Sequence, residues 1–350
     1  MKALSLFSGG GIGETYFDEI GIHTVVANEL LQERADIYSY RFPNTTIIVG
    51  DIAQKSQEII KKAKDEKIEL LVATPPCQGM SNLGARNYDT DERNFLIFEV
   101  FKIIDALLPN YIFIENVPQF LKMYYPFNGE ILSLVDILQI KYSKTYDIQY
   151  GVYNAADYGV PQTRKRALIR FNKKGLKWET PSKTAHKTLR DAIGHLPSIE
   201  SGEDSGIKYH VGPKHPARQI ETIKHTETGK TAHDNPVYYP KKSDGTRARG
   251  YRNTYRRLNW DVPCPTRTMN SNAISGSNNC HPGRRLQDGT YSDARVLSLL
   301  ELLIVSSLPE NIDFPPNTTE KTIREIIGEG VPPLMSKAFL EKISTKNSKD

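Results

Sequence analysis

The sequence predicts an α/β fold in which a mostly parallel sheet carries helices on both faces, together with a smaller domain of irregular structure. Two observations lead to this prediction. In the first third of the chain, short apolar runs of strand length alternate with longer stretches of helical periodicity. Beyond Asn172, proline, glycine, lysine and histidine become more frequent and the apolar periodicity fades. We therefore expect one domain over residues 1–172, completed by 325–345, and a second over 173–324.

The predicted strands and helices follow one another in a regular order. Strands are expected at residues 3–7, 24–27, 46–49, 69–73, 111–114 and 167–171. Helices are expected at residues 14–20, 30–40, 54–64, 93–108, 131–140, 295–308 and 334–343. In such a fold, ligands bind at the carboxyl ends of the parallel strands. The residues that follow each strand are therefore the first candidates for a functional site.

Glycines and acidic residues follow the first three strands. The first strand leads into the glycine loop from Phe7 to Gly13, where absent side chains allow a ligand to approach the backbone. Glu29, about twenty residues past the glycines, is placed to accept hydrogen bonds from ribose hydroxyls. Asp51 could accept from an adenine amino group while Ile52 packs against the ring, although each acid could instead cap a helix. Together these residues predict a pocket for an adenosine-containing cofactor.

A cysteine lies in the turn after the fourth strand, between Pro75-Pro76 and Gly79. The prolines fix φ on one side of Cys77 and the glycine allows a turn on the other, so the thiol is held on a rigid bend. That arrangement presents a nucleophile, although a buried and inert cysteine is the commoner alternative. The other cysteines, Cys264 and Cys280, form no Cys-x-x-Cys pair, which argues against a disulfide scaffold or a zinc site and favours a reducing compartment.

The second domain is basic. Between Gly206 and Thr290 there are fifteen Lys and Arg residues against six Asp and Glu residues, and the whole chain has a net charge of only +5. The remainder of the chain is therefore net acidic. This distribution predicts a polyanionic partner, although a solvated basic face is the alternative. The basic residues that are interleaved with Tyr251 and Tyr255 suit contacts to phosphates and to base edges in the grooves.

Several segments resemble, in the same order, the motifs of the DNA (cytosine-5-)-methyltransferases. Pro75 to Gln78 is similar to the Pro-Cys-Gln signature, Glu115 to Val117 to Glu-Asn-Val, and Gln162 to Arg166 to Gln-x-Arg-x-Arg. Residues 255–266 resemble the segment that organises the family's target-recognition domain, and residues 328–335 resemble its closing segment. The resemblance implies a Rossmann-like catalytic domain of the class I methyltransferase type, followed by a target-recognition domain.

The resemblance also implies a catalytic role for each motif residue. The thiolate of Cys77 adds to carbon 6 of a cytosine, while Glu115 engages ring N3 and the exocyclic amine. Arg164 contacts the base oxygen O2, and Asn116 orients the surrounding backbone. Alternation places Arg164 and Arg166 on one face of an extended segment, and for Arg166 a structural ion pair is the alternative to a functional role.

The resemblance further implies a cofactor and two sets of binding residues. The cofactor is S-adenosyl-L-methionine, the product is S-adenosyl-L-homocysteine, and no metal is expected. The predicted cofactor residues are Phe7, Gly9, Gly11, Glu29, Asp51, Ile52, Pro75 and Val331. The predicted DNA-binding residues are Gln78, Ser81, Arg247, Arg249, Arg252, Tyr255, Arg256 and Arg257. The target cytosine must be flipped out of the duplex to react, and residues 78–93 are the expected lid.

Three residues depart from the family pattern. Ser5 stands where an aspartate is usual, Ile12 where the last glycine of the loop is usual, and Glu329 where an asparagine is usual. A carboxylate at position 329 would repel the carboxylate of the cofactor's methionine part if it faced that group. A catalytically silent DNA-binding relative is therefore an alternative, against which the intact Cys77, Glu115 and Arg164 argue.

The remaining expectations concern setting and partners. We expect a monomeric prokaryotic or viral enzyme that modifies a specific double-stranded DNA sequence in the cytoplasm, associated with the nucleoid. A restriction endonuclease acting on the same site would be a partner in function that need not bind. The N-terminus lacks a long apolar segment, so neither secretion nor a membrane span is expected. A tRNA-directed member of the same family is the alternative, and the long basic segment favours DNA.

Overall fold

The computed structural model describes residues 1–76 and 92–343. The chain divides into two compact units, each built from separate segments. Unit 1 consists of Met1–Asn154, Lys165–Lys183 and Pro333–Asp350, and unit 2 consists of Ala155–Arg164 and Thr184–Pro332. The expected boundary at residue 172 therefore falls inside a segment of unit 1, and the predicted domain limits stay a prediction.

The described residues contain strands, α-helices and short 3-10 turns. The strands are β1 (Lys2–Leu6), β2 (His23–Glu29), β3 (Thr46–Val49), β4 (Leu70–Ala73), β5 (Tyr111–Asn116), β6 (Tyr124–Phe127), β7 (Glu130–Ser133), β8 (Tyr146–Asn154), β9 (Gln162–Thr163), β10 (Lys165–Lys173) and β11 (Cys264–Pro265). The α-helices are α1 (Gln32–Arg41), α2 (Ile52–Glu66), α3 (Ile97–Leu107), α4 (Leu134–Tyr142), α5 (Leu189–Ile193), α6 (Ala217–Lys224), α7 (Leu299–Val305), α8 (Glu320–Glu329) and α9 (Pro333–Leu340). The 3-10 turns are Ile12–Glu14, Asp18–Ile20, Glu92–Leu96, Pro118–Lys122, Ala155–Tyr158 and Ala232–Asp234.

Unit 1 is organised by a seven-stranded sheet in the order β3-β2-β1-β4-β5-β10-β8. The first five strands in that order are parallel to one another, and β10 is antiparallel to both of its neighbours. Every residue of β4 and β5 is buried, as expected for parallel strands in the middle of a sheet. The carboxyl ends of β1, β2, β3, β4 and β5 share one edge of the sheet. The predicted α/β fold with a mostly parallel sheet is confirmed.

The predicted helix over residues 14–20 is wrong. The segment instead forms two 3-10 turns, Ile12–Glu14 and Asp18–Ile20. Gly11 and Gly21 flank the segment, and both have a φ of 70°, in the left-handed region that interrupts a helix. In addition, the Glu14 side chain is drawn into the interior of unit 1, so it does not lie on the solvent face of a helix.

Of the predicted helices that begin later than the apolar pattern suggests, two begin at a serine cap. Residues 131–133 belong to β7, which pairs with β6, and α4 begins only after Ser133, whose side chain accepts from the backbone N–H of Asp136. Near the C-terminus, α7 begins after Ser298, which forms a capping box with Glu301. Each helix therefore starts at a serine cap inside the predicted range. The long edge strand β8 has mixed polar and aromatic residues and was not predicted.

Unit 2 contains little regular structure. Its helices are α5, α6, α7 and α8, and its strands β9 and β11 form a two-residue parallel pair. A small apolar cluster joins Ile223, Ile274, Cys280, Ala294 and Val296. Among the largest fully buried side chains of this unit are four arginines: Arg257, Arg267, Arg295 and Arg324. In the described part of the chain, no helix has the length and apolarity that a membrane span requires.

Candidate active site

The loop after β1 adopts backbone conformations that favour glycine. Gly9 and Gly11 have φ values of 54° and 70°, and Phe7 has a positive φ of 59° although it carries a side chain. A Cβ atom added at Gly9 would meet no atom within 4 Å, whereas one added at Gly11 would clash with the Phe42 ring. The two predicted cofactor glycines therefore differ: Gly9 borders open space that a ligand can use, and Gly11 allows the loop to pack on Phe42.

Glu29 connects the end of β2 to the glycine loop. Its Oε2 atom accepts a hydrogen bond from the backbone N–H of Gly9 at 2.8 Å, and its Oε1 atom accepts from the N–H of Leu31 at 3.0 Å. A carboxylate oxygen has more than one lone pair, so both oxygens can still accept from a ligand. The structure thus brings Glu29 and Gly9 together, as the proposed cofactor pocket requires.

Asp51 and Ile52 lie at the start of α2. Asp51 is the N-cap of the helix, and its Oδ1 atom accepts from the backbone N–H of Ala53 at 2.9 Å. The helix-cap alternative therefore holds for one oxygen of Asp51. Ile52 is 3% exposed and belongs to the apolar core, so it offers little surface to a bound ring.

The carboxyl ends of β1, β4 and β5 are joined by side-chain hydrogen bonds. Thr74, after β4, donates through Oγ1 to the carbonyl oxygen of Phe7 at 3.0 Å. Asn116, the last residue of β5, donates through Nδ2 to the carbonyl oxygen of Pro75 at 3.1 Å, and its Oδ1 accepts from the N–H of Val117. The predicted role of Asn116 in orienting the backbone agrees with these contacts. Three predicted site residues, Cys77, Gln78 and Ser81, lie outside the described residues.

Glu115 and Arg166 form an ion pair at the end of β5. The Nε atom of Arg166 lies 2.8 Å from Oε1 of Glu115, and both side chains are largely buried. Arg166 follows the first residue of β10, which is antiparallel to β5, so the sheet itself places the two side chains at one edge. A buried carboxylate is costly unless a cation or hydrogen-bond donors compensate it. The structure thus supports the ion pair that was the alternative for Arg166.

Arg164 has a different environment within unit 2. Its Nη1 atom donates to the carbonyl oxygen of Arg267 at 2.8 Å, and its Nη2 atom donates to those of Gly328 and Gly330 at 2.8 and 3.0 Å. Arg164 therefore links the turn that follows α8 to the segment at Arg267. Arg164 lies between β9 and β10, which begins at Lys165, and the expectation that Arg164 and Arg166 share one face of an extended segment stays a prediction.

The three residues that depart from the family pattern have distinct surroundings. Ser5 is buried on β1 and donates to the carboxylate of Glu14, a residue that sequence reasoning did not select. The only sequence signal for Glu14 was a carboxylate immediately after a glycine loop. Ile12 is buried in unit 1, whereas Glu329 is exposed at the end of α8. Val331, the remaining predicted cofactor residue, lies buried in unit 2.

Three of the predicted DNA-binding arginines lie on the surface of unit 2. Arg247, Arg249 and Arg252 are all exposed. The guanidinium of Arg247 lies 4.3 Å from the centroid of the Tyr239 ring, and Arg252 forms an exposed ion pair with Asp234 at 3.1 Å. These side chains are accessible to a polyanion, because an exposed pair exchanges partners at little cost.

The predicted DNA-binding set is corrected at Arg257, because this side chain is buried. Tyr255 and Arg256, by contrast, are partly exposed. Arg257 is 0% exposed, and its guanidinium donates to the carbonyl oxygens of Ile223, His281 and Ser292, among others. A guanidinium with this many internal acceptors cannot reach a phosphate without unfolding its surroundings. The run of basic residues in the sequence did not distinguish this buried arginine from its neighbours.

The comparisons with known proteins agree with this geometry. The chain matches the sequence model of the C-5 cytosine-specific DNA methylases over residues 1–345. It is 46% identical over 353 residues to the Type II methyltransferase M1.HgaI of Avibacterium volantium, covering 99% of both chains. It is 27% identical to the Type II methyltransferase M1.HphI of Haemophilus parahaemolyticus, covering 99% of this chain and 87% of that protein. Its fold is similar to that of a prophage-encoded DNA modification methyltransferase of E. coli, with a TM-score of 0.71, 21% identity and 98% coverage of each chain.

Proposed function

The chain belongs to the C-5 cytosine-specific DNA methylase family and is a DNA (cytosine-5-)-methyltransferase, and we propose that it methylates cytosine within a specific double-stranded DNA sequence. In this proposal it acts as a Type II modification enzyme, and S-adenosyl-L-methionine is its cofactor. The Type II assignment is supported by the 46% identity to a Type II methyltransferase across 99% of both chains.

The cofactor proposal is supported by the strand ends of unit 1. Gly9 borders open space, and Glu29 holds the loop through the Gly9 N–H while keeping acceptor capacity for ribose hydroxyls. Asp51 keeps a second carboxylate oxygen beyond the one that caps α2. When bound, S-adenosyl-L-methionine supplies the methyl group. The residues of unit 1 bind the adenosine part and exclude water from it.

The catalytic proposal assigns nucleophilic attack to Cys77. Its thiolate adds to carbon 6 of the cytosine, which places electron density on carbon 5 and makes that carbon nucleophilic. Glu115 engages ring N3 and the exocyclic amine, which offsets the charge that develops on the ring. After methylation, carbon 5 loses its proton to a base, and the electron pair expels Cys77 from carbon 6. The covalent bond to the enzyme is therefore transient.

We assign the two arginines different roles. Arg166 contacts Glu115 directly, so it is the arginine that can hold that carboxyl group toward the base and contact the base oxygen O2. Arg164 donates to four backbone carbonyls of unit 2, which supports a structural role. This assignment reverses the one that the sequence motif alone suggested.

The exposed arginines of unit 2 support recognition of DNA by that unit. Contacts from Arg247, Arg249 and Arg252 to phosphates would fix the position of the duplex, while base edges would carry the sequence information. The target base is flipped into the pocket of unit 1, with residues 78–93 as the lid. The enzyme acts as a monomer in the cytoplasm. A restriction endonuclease that acts on the same DNA site would be a partner in function and need not bind the methyltransferase.

The single observation that carries this proposal is the Glu115–Arg166 ion pair at the carboxyl end of β5, on the strand next to the one that leads to Cys77. The test is transfer of tritium from labelled S-adenosyl-L-methionine to duplex DNA and, in parallel, to tRNA. We expect label in DNA, and bisulfite sequencing of the labelled DNA then gives the recognition sequence.

A Cys77→Ala variant is the matched control for the mechanism. We expect this variant to bind DNA and cofactor but to transfer no methyl group, because the addition to carbon 6 is lost. Methylation by Cys77→Ala would contradict the proposed nucleophile. Label in tRNA alone would replace DNA with tRNA as the substrate, and label in neither by a folded protein would support the catalytically silent alternative.

A further inference from the structure

A buried carboxylate lies beneath the glycine loop and has no role in the chemistry proposed above. Glu14 is 5% exposed. Three hydroxyl groups donate to it: Ser5 Oγ to Oε1 at 2.6 Å, and Thr24 Oγ1 and Tyr38 Oη to Oε2 at 2.7 and 2.6 Å. Ser5 lies on β1, Thr24 on β2 and Tyr38 on α1. One carboxylate thus joins three elements of unit 1 at the point where the glycine loop ends.

Arg41 holds the same loop from the end of α1. Its Nη1 atom donates to the carbonyl oxygen of Gly10 at 2.6 Å, and its Nη2 atom donates to Oγ1 of Thr15 at 2.9 Å. The Thr15 hydroxyl in turn donates to the carbonyl oxygen of Ile12 at 2.7 Å. The loop is therefore fixed in its middle by Arg41 and at its end by Glu14.

The buried carboxylate indicates that Glu14 does more than fill space in the core. Removing a carboxylate from water is unfavourable, and an apolar side chain would fill the same space without that cost. The pKa of Glu14 is raised because burial outweighs the three hydroxyl donors and the nearby Arg41, which lower it. The loop that these groups hold contains Phe7 at a positive φ and Gly9 beside open space. Such a conformation persists only when surrounding contacts determine it.

We propose that Glu14 is a positioning residue for the cofactor: together with Ser5, Tyr38 and Arg41 it holds the glycine loop in the conformation that binds the adenosine part. The inference rests on the proposed function, because the ligand of the loop is taken to be S-adenosyl-L-methionine. It goes further by assigning part of the cofactor affinity to a carboxylate that does not contact the cofactor.

The contact between positions 5 and 14 also accounts for the serine on β1. Ser5 acts as a hydroxyl donor to Glu14 at 2.6 Å. An aspartate at position 5 would bring a second carboxylate within hydrogen-bond distance of the first, and two such charges repel each other. One buried carboxylate is therefore accommodated at this place, and in this chain it is supplied by Glu14.

The first test is Glu14→Gln, with the dissociation constant of S-adenosyl-L-methionine measured by calorimetry in the absence of DNA. We expect about a tenfold weaker cofactor affinity, because an amide accepts hydrogen bonds from three hydroxyls less well than a carboxylate does. The KM for DNA and the kcat at saturating cofactor should stay near the wild-type values. The matched control is Glu58→Gln, the same change at an exposed position on α2, which should leave all three constants unchanged.

A reciprocal pair tests the contact itself. Ser5→Asp alone should weaken cofactor binding, because it places two carboxylates together. In Ser5→Asp combined with Glu14→Gln, one carboxylate is restored, so the double variant should bind the cofactor more tightly than the two separate effects predict. A general loss of folded protein would lower kcat in proportion and could not produce this recovery. Additive effects in the double variant would overturn the inference.

Failure of the inference can be distinguished from failure of the proposed function. Glu29→Ala removes the carboxylate that the proposed cofactor site requires, so wild-type affinity in that variant would refute the site. If Glu29→Ala loses the cofactor while Glu14→Gln binds it like the wild type, only the inference is refuted. If Glu14→Gln does not fold, Tyr38→Phe removes a single donor and should weaken cofactor binding about threefold, and an unchanged affinity in that variant would refute the inference.

Discussion

The two units satisfy their buried polar groups in different ways. In unit 1, the backbone donors and acceptors pair within a seven-stranded sheet, and the core is a continuous apolar cluster from Leu4 to Phe171. In unit 2, regular structure is scarce, and arginine side chains reach into the interior to donate to backbone carbonyls. Arg257 contacts five carbonyl oxygens, and Arg267, Arg295 and Arg324 each donate to at least one.

The comparison shows that irregular backbone requires hydrogen-bond donors from side chains. A carbonyl oxygen that is buried outside a helix or sheet still needs a donor. A guanidinium offers five N–H groups in a fixed plane and keeps its charge, so one buried arginine can satisfy several carbonyls that lysine could not. The charge is balanced locally: Arg295 pairs with Asp293 at 2.9 Å and with Glu301 at 2.7 Å.

The largest expected effect is on unit 2. Arg257→Lys keeps the charge but removes the planar donors, so several buried carbonyls lose their partners. We expect the free energy of unfolding to fall by about 3 kcal/mol, measured by chemical denaturation. The control is Arg256→Lys at the partly exposed neighbouring position, where a change within about 0.5 kcal/mol is expected. Equal losses in the free energy of unfolding of the two variants would contradict the role of the buried Arg257 in unit 2.

A pH dependence should also distinguish unit 2. The backbone N–H of Gly283 donates to Nδ1 of His281 at 3.1 Å, so this ring is neutral in the folded state. Burial lowers the pKa of His281 from its usual 6.5 to about 4. Between these values the unfolded chain binds a proton that the folded chain does not, so stability is full above pH 6.5 and falls as the pH decreases toward 4.

The expected size of this loss of stability follows from the proton that His281 binds in the unfolded chain. We expect a loss of about 2 kcal/mol between pH 7 and pH 4.5, measured as the change in the unfolding midpoint of the wild type. His215, whose pKa is also lowered to about 4 by burial, contributes in the same direction. In His281→Gln the pH slope should be smaller, and the exposed His186→Gln should leave it unchanged. A slope that is identical in all three proteins would contradict the assignment.

A conservative change in the apolar core of unit 1 should have a smaller effect. Ile59 on α2 is fully buried in that core. Ile59→Val removes one methylene group, for which we expect a loss of about 1 kcal/mol in the free energy of unfolding, without pH dependence. Ile131→Val makes the same change at an exposed position and should have no measurable effect. A pH-dependent loss of unfolding free energy in Ile59→Val would show that pH dependence does not distinguish the two units.

The smallest effect on stability is expected at the surface of unit 2. Arg252→Gln removes an exposed arginine, so the free energy of unfolding should change by less than about 0.5 kcal/mol. DNA affinity should nevertheless fall, and the slope of log affinity against log salt concentration should decrease by about 1. Fluorescence anisotropy at several salt concentrations measures both. An unchanged salt slope would remove Arg252 from the DNA-binding surface.

The sequence was most informative about unit 1 and least informative about unit 2. The succession of strands along the chain, the glycine loop and the residues after β1, β2, β4 and β5 follow from apolar periodicity and from turn residues, which act locally. Glu14 was missed because its three hydroxyl donors come from separate elements, and no local pattern indicates that they meet. Arg257 was assigned to DNA because a basic run has the same composition whether its side chains face solvent or backbone carbonyls.

The central claim is that two arginines of one motif serve different purposes: Arg166 holds the catalytic carboxyl group, and Arg164 supports the backbone of unit 2. The most direct measurement compares Arg166→Lys with Arg164→Lys by single-turnover methyl transfer at saturating cofactor and DNA, with the unfolding temperature of each. The account predicts that Arg166→Lys slows methyl transfer by about a hundredfold without a change in unfolding temperature. It predicts that Arg164→Lys lowers the unfolding temperature while the folded fraction reacts at the wild-type rate. The reverse pattern would contradict the account.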